Sequence, residues 1–376
     1  MDKPEHGNFD NLNIKPDILK GLYLYGFKKP ADIQVKGINA INTGRDCIIQ
    51  SQSGTGKTAT YLLGIINRIS HDDTNKALVI APTRELAKQI YDVANSICQY
   101  SNITISLCVG GTELSQHNDS IVIGTIGRIQ HMISLTKLNV KKITTLVIDE
   151  ADNMLNDKDN TDLLNVINLI SPDAQKILIS ATLTHIVFQL TDNIMKDPIK
   201  ILLKNINVAV EIINQFYVDV EAEENKFDVL IDLYNLISTT QAIIFCNTIS
   251  KVTWLAENLA AKNFPITTIH GKMNQTERND IIQEFRNGKT RLLLTTDLLA
   301  RGIDVPQVNL VICYDLPFDK ETYIHRIGRC GRFGKKGISI SMIKTLDPYD
   351  MKLLNKMKHS YNIDINELPD NIDEYL

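Results

Sequence analysis

Short apolar runs rich in β-branched residues alternate with amphipathic stretches along the whole chain. The apolar runs predict β-strands, and the stretches between them show the 3.6-residue period of α-helices. Strands that are apolar throughout and separated by helices predict parallel sheets with helices packed on both faces. We therefore predict an α/β fold with strands at 45–50, 77–83, 105–110, 120–125, 145–150, 176–182, 242–248, 265–271, 290–297, 308–317 and 337–343.

The length of the chain predicts more than one domain. It has 376 residues, which exceeds what a single ordinary hydrophobic core contains. The strand pattern of the first half is repeated in the second half, with a join near "KNINVAVEII". We predict an N-terminal domain at 1–203, a linker at 204–213 and a C-terminal domain at 214–376.

Composition narrows the class of protein. Hydrophobic residues make up 43% and charged residues 22%, as in ordinary globular proteins. The six cysteines include no CxxC pair, so neither a disulfide framework nor a structural zinc site is expected. No apolar run has the length of a membrane span, and the N-terminus lacks a signal-peptide pattern. We expect no membrane association and a cytoplasmic location, with the nucleus as the alternative.

Charge is distributed unevenly. Residues 345–376 carry three basic and seven acidic side chains, which accounts for the whole net charge of −4. The rest of the chain is neutral overall and has no polybasic run. If the protein binds nucleic acid, it therefore does so through a local groove and not through bulk charge. The acidic end is a candidate docking surface, although a solvated helix face is the simpler interpretation.

Polar residues cluster where the predicted strands end. In an open α/β sheet, ligands bind beyond the carboxyl ends of the strands. The sequences at these places are "SQSGTGKT", "APTREL", "VGG", "GTIGR", "DEAD", "SAT", "CNT", "IHG" and "TTD". This placement predicts that both domains bind ligands at that edge.

The segment 45–66 has the pattern of a phosphate-binding loop. A strand, a glycine-containing loop and a helix follow one another, and the loop reads "SQSGTGKT". Backbone N–H groups of such a loop cradle phosphates, Lys57 can reach the β- and γ-phosphates, and the Thr58 hydroxyl can bind Mg²⁺. Ser51 stands where the strict motif has glycine. The alternative is an ordinary glycine-containing turn before a helix.

Three carboxylates follow the strand at 145–150, in the sequence "LVIDEADNML". In phosphate-loop enzymes an acid at the end of a neighbouring strand holds Mg²⁺. We therefore predict that Asp149 binds the metal, through water, and that Glu150 polarises the attacking water. The alternative is a solvated acidic loop or a helix N-terminus, where acids are favoured by the helix dipole.

Several motifs together resemble the DEAD-box RNA helicases. They are "SGTGKT" (53–58), "PTRELA" (82–87), "DEAD" (149–152), "SAT" (180–182), "ARGID" (300–304) and "HRIGRCGR" (325–332). The stretches "LYLYGFKKPADIQ", "TTDLLARGIDVPQVNLVICYDLP" and "YIHRIGRCGRFGKKG" are most similar to the translation initiation factor 4A group. The resemblance implies two tandem RecA-like domains, ATP and Mg²⁺ as cofactors, and RNA-stimulated ATP hydrolysis that unwinds or remodels RNA locally.

The resemblance also implies a role for individual residues in nucleotide binding. Gln34 would read the adenine edge, with Lys29 and Phe27 beside the base, although Phe27 can equally be a core residue. Asp304 would contact the ribose. Arg329 and Arg332 would be arginine fingers on the γ-phosphate, and their spacing would put them on one face if they lie on a helix. The phosphate loop would contribute Ser53, Gly54, Thr55, Gly56, Lys57 and Thr58.

Two further groups of residues take their roles from the resemblance. Asp152, Ser180 and Thr182 would couple ATP hydrolysis to strand separation, with Asp152 linking the acidic loop to "SAT". Glycines and small hydroxyls that contact phosphates and 2′-OH groups favour RNA without base reading. The RNA-binding candidates are Arg84, Gly111, Thr125, Gly127, Arg128, Thr248, Gly271, Arg278 and Thr296.

Three departures from the family pattern stand out. Ile126 replaces a usual proline, which predicts a looser turn and a weaker grip of that loop on RNA. Lys272 replaces a usual acid, and Cys330 replaces a small residue between the two predicted arginine fingers. None of these changes removes a catalytic group.

The leading hypothesis is an ATP-dependent RNA helicase acting in translation initiation. The alternative is an ATP-dependent RNA clamp within a larger RNA–protein assembly, which would use the same residues. A DNA translocase is a third and weaker interpretation. We expect single-stranded RNA and short RNA duplexes as ligands, a monomeric protein, and a protein scaffold or stimulatory partner.

Overall fold

The computed structural model describes residues 8–51, 55–69, 76–113, 117–156, 161–183, 185–202, 213–236, 241–297, 308–331 and 336–369. The chain divides into two compact units, residues 1–204 and 205–376. Each unit contains a seven-stranded sheet in which every strand pair is parallel. The predicted fold class, tandem α/β domains built on parallel sheets, is confirmed.

The sheet of the first unit has the strand order β3-β4-β2-β5-β6-β1-β7. Its strands are β1 (Cys47–Gln50), β2 (Ala77–Ala81), β3 (Ile105–Cys108), β4 (Ile121–Thr125), β5 (Thr145–Ile148), β6 (Gln175–Ser180) and β7 (Ile199–Ile201). Its helices are α1 (Pro16–Tyr25), α2 (Asp32–Asn42), α3 (Lys57–Arg68), α4 (Arg84–Cys98), α5 (Ile126–Ser134), α6 (Ala151–Asn156), α7 (Thr161–Leu169) and α8 (His185–Ile194).

The sheet of the second unit has the strand order β10-β11-β9-β12-β13-β8-β14. Its strands are β8 (Ile213–Asp219), β9 (Gln241–Phe245), β10 (Ile266–Ile269), β11 (Leu292–Thr295), β12 (Val308–Cys313), β13 (Gly337–Ile343) and β14 (Asn366–Glu367). Its helices are α9 (Lys226–Leu236), α10 (Ile249–Ala261), α11 (Gln275–Arg286), α12 (Lys320–Ile327) and α13 (Pro348–Tyr361). Short 3₁₀ turns occur at Phe9–Leu12, Val140–Lys142 and Glu223–Asn225.

Both faces of the first sheet are buried. In β1, Cys47 and Ile49 belong to one hydrophobic cluster while Ile48 belongs to another. In β2, Leu78 likewise packs into a different cluster from its neighbour Val79. Successive side chains of a strand point to opposite faces, so a sheet covered on both sides needs an unbroken apolar run. The continuous apolar strands of the sequence are explained by this arrangement.

Local capping fixes where several helices begin. The hydroxyl of Thr83 accepts a hydrogen bond from the backbone nitrogen of Leu86 at 3.2 Å, at the start of α4. The same kind of cap is made by Thr248 for α10, Asn274 for α11 and Asp319 for α12. Each cap satisfies a backbone N–H that has no partner within the helix. The helices therefore start immediately after the strand-end loops, which brings their N-termini to the ligand-binding edge.

The predicted strands differ from the structure in three places. β7, β8 and β14 were not predicted. β7 and β14 are three and two residues long, and β8 mixes polar and apolar residues ("INQFYVD"). Ile213, predicted as the last linker residue, is the first residue of β8, while 204–212 lie outside the described residues.

Among the described helices, none combines the length and the hydropathy required to cross a lipid bilayer.

Candidate nucleotide and nucleic-acid site

The order of the strands groups the predicted motifs of the first unit. β1, β6 and β5 are neighbours, and they lead into the phosphate loop, "SAT" and the acidic loop. The next strands, β2, β4 and β3, lead into "PTREL", "TIGR" and "VGG". Because all these strands are parallel, the six loops follow the same edge of the sheet. The nucleotide motifs occupy one half of this edge and the first-unit RNA candidates occupy the other half.

The phosphate loop leads directly into α3. Gly56 has φ of +86°, a conformation that glycine adopts without steric cost. A Cβ at this position would also lie 2.5 Å from Nε2 of Gln34, which would have to move its side-chain amide. Lys57 is the first residue of α3 and is largely buried. Ser53 and Gly54, both predicted to bind phosphate, lie outside the described residues.

Gln34 connects the start of α2 to the phosphate loop. Its Oε1 accepts a hydrogen bond from the backbone nitrogen of Ala31 at 2.8 Å, and its Nε2 donates to the carbonyl of Gly56 at 3.5 Å. The side chain is buried. In this structure the amide therefore connects α2 to the phosphate loop. Its predicted contact with adenine would use the second N–H of Nε2 and the second lone pair of Oε1.

Phe27 lies in an aromatic group near the start of the chain. Its ring stacks on Tyr25 with centroids 5.7 Å apart and meets Phe9 edge-on at 6.2 Å. Phe9 is fully buried, whereas Phe27 is only partly buried and Lys29 is exposed. The partial exposure of Phe27 leaves both predicted roles, core residue and neighbour of the base, compatible with its position.

The acidic loop is held by a set of internal hydrogen bonds. Oδ1 of Asp149 accepts from the backbone nitrogen of Glu150 at 2.8 Å, and Oδ2 accepts from the hydroxyl of Tyr61 at 2.9 Å. Oε2 of Glu150 accepts from Nδ2 of Asn153 at 2.9 Å. Glu150 has φ of +46°, a left-handed backbone that a non-glycine residue adopts at a cost of about 1 kcal/mol. The loop thus fixes both carboxylates at a specific position.

Burial governs the ionisation of this loop. Burial raises the pKa of Asp149 to about 6, the charge of Lys57 lowers it, and the neighbouring Glu150 raises it. Burial and then the charge of Asp149 raise the pKa of Tyr61 well above its usual range. Tyr61 therefore keeps its proton and remains a hydrogen-bond donor to the carboxylate.

The residues of this site fit a magnesium–nucleotide complex. Mg²⁺ prefers oxygen ligands and is usually held by one or two protein groups together with waters and phosphates. The Thr58 hydroxyl and the Asp149 carboxylate are such groups, and Lys57 stands at a helix N-terminus, where phosphate is favoured. Thr58 is half-buried in the first turn of α3, and the buried Asp149 accepts a hydrogen bond from Tyr61 of the same helix. The donor set is therefore chemically suited to Mg²⁺ bound to phosphate.

The predicted link between the acidic loop and "SAT" is present as a direct contact. Oδ2 of Asp152 accepts from the hydroxyl of Thr182 at 2.7 Å and from its backbone nitrogen at 3.0 Å. The hydroxyl of Ser180 donates to the carbonyl of Thr182 at 2.5 Å. All three side chains are buried. The coupling role of these residues stays a prediction.

The first-unit RNA candidates surround the loop at 109–113. The guanidinium of Arg84 lies 2.4 Å from the position that a Cβ on Gly110 would occupy. Nη2 of Arg128 donates to the carbonyls of Thr112 at 2.5 Å and Glu113 at 3.2 Å. Arg128 therefore supports the loop from within. The three remaining candidates, which are exposed or partly exposed, are Gly111, Thr125 and Gly127.

Ile126 is the first residue of α5, and Thr125 precedes it with φ of −99° and ψ of 146°. The predicted looser turn is therefore the start of a helix. Proline is favoured at this first helical position, which explains why a proline would suit the site. The backbone reaches the same geometry here with isoleucine.

The second-unit RNA candidates follow three neighbouring strands, β10, β11 and β9. Gly271 is exposed, Thr296 is buried at the end of β11, and Thr248 caps α10. Arg278 is buried, and its Nη2 donates to Oε1 of Gln275 at 2.9 Å. The candidates thus share one edge of the second sheet.

Arg326 was not predicted as a functional residue, but its hydrogen bonds connect three of the loops at this edge of the second sheet. Its side chain is fully buried. It donates to the carboxylate of Asp297 at 2.5 and 2.8 Å, to Oδ1 of Asn247 at 2.7 Å and to the carbonyl of Asp315 at 2.5 Å. These groups follow β11, β9 and β12, so one guanidinium fixes the loops that carry Thr296 and Thr248.

Arg329, one of the two predicted arginine fingers, does not lie on a helix. α12 ends at Ile327, and Arg329 lies in the turn that follows, where its Nε donates to the carbonyl of His325 at 3.1 Å. The helix stops because Gly328 caps its C-terminus. The role of Arg329 as an arginine finger stays a prediction. Arg332 and Asp304 lie outside the described residues.

Two further residues of the nucleotide site were missed, namely Tyr61 and Asn153. Tyr61 is three positions after Thr58 and four after Lys57, so it lies on the same face of α3. Asn153 is three positions after Glu150 and close to it for the same reason. Helical spacing from the predicted site residues was the signal that could have identified both.

Comparison with protein families gives two matches. The family described as DEAD/DEAH box helicase matches residues 31–190. The family described as helicase conserved C-terminal domain matches residues 225–334. The two matches fall within the first and the second compact unit, respectively.

Curated relatives resemble nearly the whole chain. Eukaryotic initiation factor 4A of Caenorhabditis elegans is 44% identical over 372 residues, covering 97% of this chain and 92% of that protein. The ATP-dependent RNA helicase eIF4A of Schizosaccharomyces pombe is 45% identical over 374 residues, covering 97% of this chain and 94% of that protein.

A solved structure shares the fold over the same length. Dbp5 of S. cerevisiae bound to RNA and ADP BeF3 has a TM-score of 0.92 and 36% sequence identity. The match covers 98% of this chain and 97% of that chain. The likeness therefore extends over both compact units.

Proposed function

This chain belongs to the DEAD/DEAH box helicase family, and from this we infer that it is an ATP-dependent RNA helicase. It hydrolyses ATP when RNA is bound and uses the cycle to separate or remodel short stretches of RNA. The relatives named initiation factor 4A make translation initiation the process that we propose for it.

The observation that carries this proposal is the contact between Asp152 and Thr182. It joins the acidic loop after β5 to the loop after β6, at the edge where the nucleotide motifs adjoin the RNA candidates. The link supports a function in which hydrolysis and RNA binding depend on each other.

Each residue of the nucleotide site has a distinct role in this proposal. Lys57 and the N-terminus of α3 bind the phosphates, where positive charge and N–H groups meet. Thr58 and Asp149 hold Mg²⁺, which neutralises phosphate charge when bound. Glu150, oriented by Asn153, positions and deprotonates the attacking water. Arg329 and Arg332 are proposed, from the family resemblance, to stabilise charge on the γ-phosphate, and Asp304 to contact the ribose.

Binding to RNA is proposed to be independent of base sequence. The candidates present backbone, small hydroxyls and arginines, which contact phosphates and 2′-OH groups. The chain has one tryptophan and 6% aromatic residues, so a platform for stacking bases is not part of the proposal. Phosphate contacts release counterions, so affinity for RNA should fall steeply with salt concentration.

The setting of this activity is also a proposal. The chain is neutral outside its acidic end, so bulk charge contributes little to attracting RNA. We therefore propose a protein partner that supplies the RNA or stimulates turnover. We propose that the helicase is a monomer and acts in the cytoplasm.

The proposal is tested with the purified protein alone. A short RNA duplex with a labelled strand is mixed with the protein and ATP, and strand release is followed together with phosphate release. We expect RNA to stimulate hydrolysis, the corresponding DNA not to, and Lys57→Ala to abolish both activities. Tight ATP-dependent RNA binding without strand release would favour an RNA clamp, and equal stimulation by DNA would contradict the RNA assignment.

A further inference from the structure

Tyr61 connects the helix that follows the phosphate loop to the acidic loop. Its hydroxyl donates to Oδ2 of Asp149 at 2.9 Å. Tyr61 and Asp149 are both almost completely removed from solvent. The phenol thus fixes one oxygen of a predicted magnesium ligand from a different element of the fold.

The same phenol restricts the carboxylate. Oδ2 of Asp149 is held by Tyr61, and Oδ1 is held by the backbone nitrogen of Glu150 at 2.8 Å. A carboxylate oxygen has capacity for more than one contact, so each can still accept from a water in the shell of a metal ion. What the two hydrogen bonds remove is the rotation of the carboxylate about its χ2 angle.

Packing alone does not account for the hydroxyl. Tyr61 sits among aliphatic residues of α3, including Leu62, Leu63 and Ile65, all of them buried. A phenylalanine would fill nearly the same volume and would carry no polar group that needs a partner. The hydroxyl therefore serves its contact with Asp149 and not the packing of the ring in the core.

We propose that Tyr61 is a positioning residue for magnesium, which orients the carboxylate of Asp149 through Oδ2. This inference rests on the proposed function, because it takes Asp149 as a metal ligand. Groups that orient metal ligands typically change metal affinity by about 10- to 100-fold when they are removed. The hydroxyl of Tyr61 should therefore matter for binding magnesium with nucleotide and not for binding nucleotide alone.

The test compares nucleotide affinity with and without magnesium in Tyr61→Phe. Fluorescently labelled ADP is titrated with the full chain in excess Mg²⁺ and again in excess EDTA. The readout is the dissociation constant in EDTA divided by the dissociation constant in Mg²⁺. We expect this ratio to fall about tenfold in Tyr61→Phe, with the EDTA value unchanged. The Mg²⁺ concentration that gives half-maximal ATPase activity should rise by a similar factor.

Tyr323→Phe is the matched control. Tyr323 is also fully buried, and its hydroxyl donates to Oε1 of Gln215 at the same distance, 2.9 Å. Its removal should leave the magnesium ratio at the wild-type value. Thermal unfolding of both variants reports any general loss of stability.

The outcomes separate the inference from the function on which it rests. A wild-type ratio that depends on magnesium, together with an identical ratio in Tyr61→Phe, would overturn the role of Tyr61 alone. Equal losses in magnesium and in EDTA would show a structural role and would also overturn it. A wild-type protein whose affinity does not respond to magnesium would overturn the assignment of Thr58 and Asp149 as metal ligands, and the inference with it.

Discussion

The carboxylate of Asp152 accepts two hydrogen bonds from Thr182, one from the hydroxyl at 2.7 Å and one from the backbone nitrogen at 3.0 Å. The two residues are 30 positions apart in the sequence. The strands that precede them, β5 and β6, are neighbours in the sheet. Both side chains are buried, so water cannot replace either bond. A shift of the acidic loop must therefore move the loop that contains Thr182.

Thr182→Val should separate ATP hydrolysis from RNA unwinding. The variant keeps the shape of the side chain but removes the donor to Asp152, a bond to a charged group worth about 1.5–3 kcal/mol. We expect strand release to fall about tenfold or more while RNA-stimulated hydrolysis falls by much less. Both are measured on the same duplex.

Thr191→Val is the control for this experiment. Thr191 is buried in α8, and its hydroxyl donates to the carbonyl of Phe188 at 2.7 Å, within the same helix. It should lose no unwinding activity. Parallel losses of hydrolysis and unwinding in Thr182→Val would argue against a coupling role.

Glu150→Gln should stop turnover without preventing binding. The amide has nearly the shape of the carboxylate but cannot accept a proton from water, and general base catalysis contributes about 10²–10⁴-fold to rate. We expect kcat to fall in that range while the affinities for ATP and RNA stay close to wild type. Glu277→Gln, an exposed change at the start of α11, is the control. Normal hydrolysis by Glu150→Gln would show that another group activates the water.

Lys251→Met should destabilise the second unit in a pH-dependent manner. Nζ of Lys251 lies 2.8 Å from Oδ1 of Asp315 and 2.6 Å from Oε1 of Glu223. Burial would raise the pKa of each of these carboxyls. Hydrogen bonds from Lys251, together with the backbone of Asn247 for Asp315 and Lys226 for Glu223, hold both pKa values below their usual range. Near neutral pH the variant should lose about 2 kcal/mol of unfolding free energy.

The sign of the pH effect follows from these shifts. A lowered carboxyl pKa gives stability that is present above the usual carboxyl range and is lost as pH falls through the folded-state pKa. The pKa of Lys251 is raised by the same pairs, against the effect of burial, so its contribution is lost only at strongly alkaline pH. The difference between wild type and Lys251→Met should therefore be constant at neutral pH and shrink below about pH 4.

Urea unfolding of the full chain measures this difference. Trp254, the one tryptophan of the sequence, lies in α10 and reports on the second unit by fluorescence. Lys289→Met is the control, because its ion pair with Glu284 is exposed and should contribute less than about 1 kcal/mol. A pH-independent loss in Lys251→Met would mean that packing, and not charge, explains its effect.

Ile126→Pro should be tolerated and should not weaken RNA binding. The position is the first of α5, and Thr125 before it has an extended backbone, which is the conformation that a following proline requires. A compatible proline stabilises a protein by about 0.4–1 kcal/mol through the unfolded state. We expect equal ATP affinity and equal or tighter RNA binding. Ile126→Ala controls for the lost side chain, and a loss of RNA affinity specific to proline would contradict the expectation.

Much of the fold could be predicted from hydrophobic periodicity. The strands that were predicted are buried on both faces, as Cys47 and Ile48 illustrate, and their unbroken apolar runs are a strong local signal. β14 has two residues, and β8 carries polar residues within its length. Their pairing depends on the neighbouring strand and not on a local pattern, so sequence alone did not reveal them.

In the candidate site, too, some residues could be predicted from the sequence and others could not. Lys57, Thr58, Asp149 and Glu150 were identified because their residue types and spacing carry phosphate and metal chemistry. Tyr61 has helical spacing from Lys57 and Thr58, but its bond to Asp149 and the bonds of Arg326 join residues far apart in the chain, so sequence did not show their roles. Arg326, for example, is 79 positions from Asn247. A buried polar side chain shows its purpose only when its partners are known.

The sequence by itself determined the class of fold, the family and the chemical groups of the nucleotide site, because these depend on local pattern and residue type. The tertiary structure decided which groups touch. It set β6 between β5 and β1, put the phenol of Tyr61 on Asp149 and ended α12 before Arg329. The reason is physical: strand order and buried hydrogen bonds are set by long-range packing, and no local stretch of sequence contains both partners of such a contact.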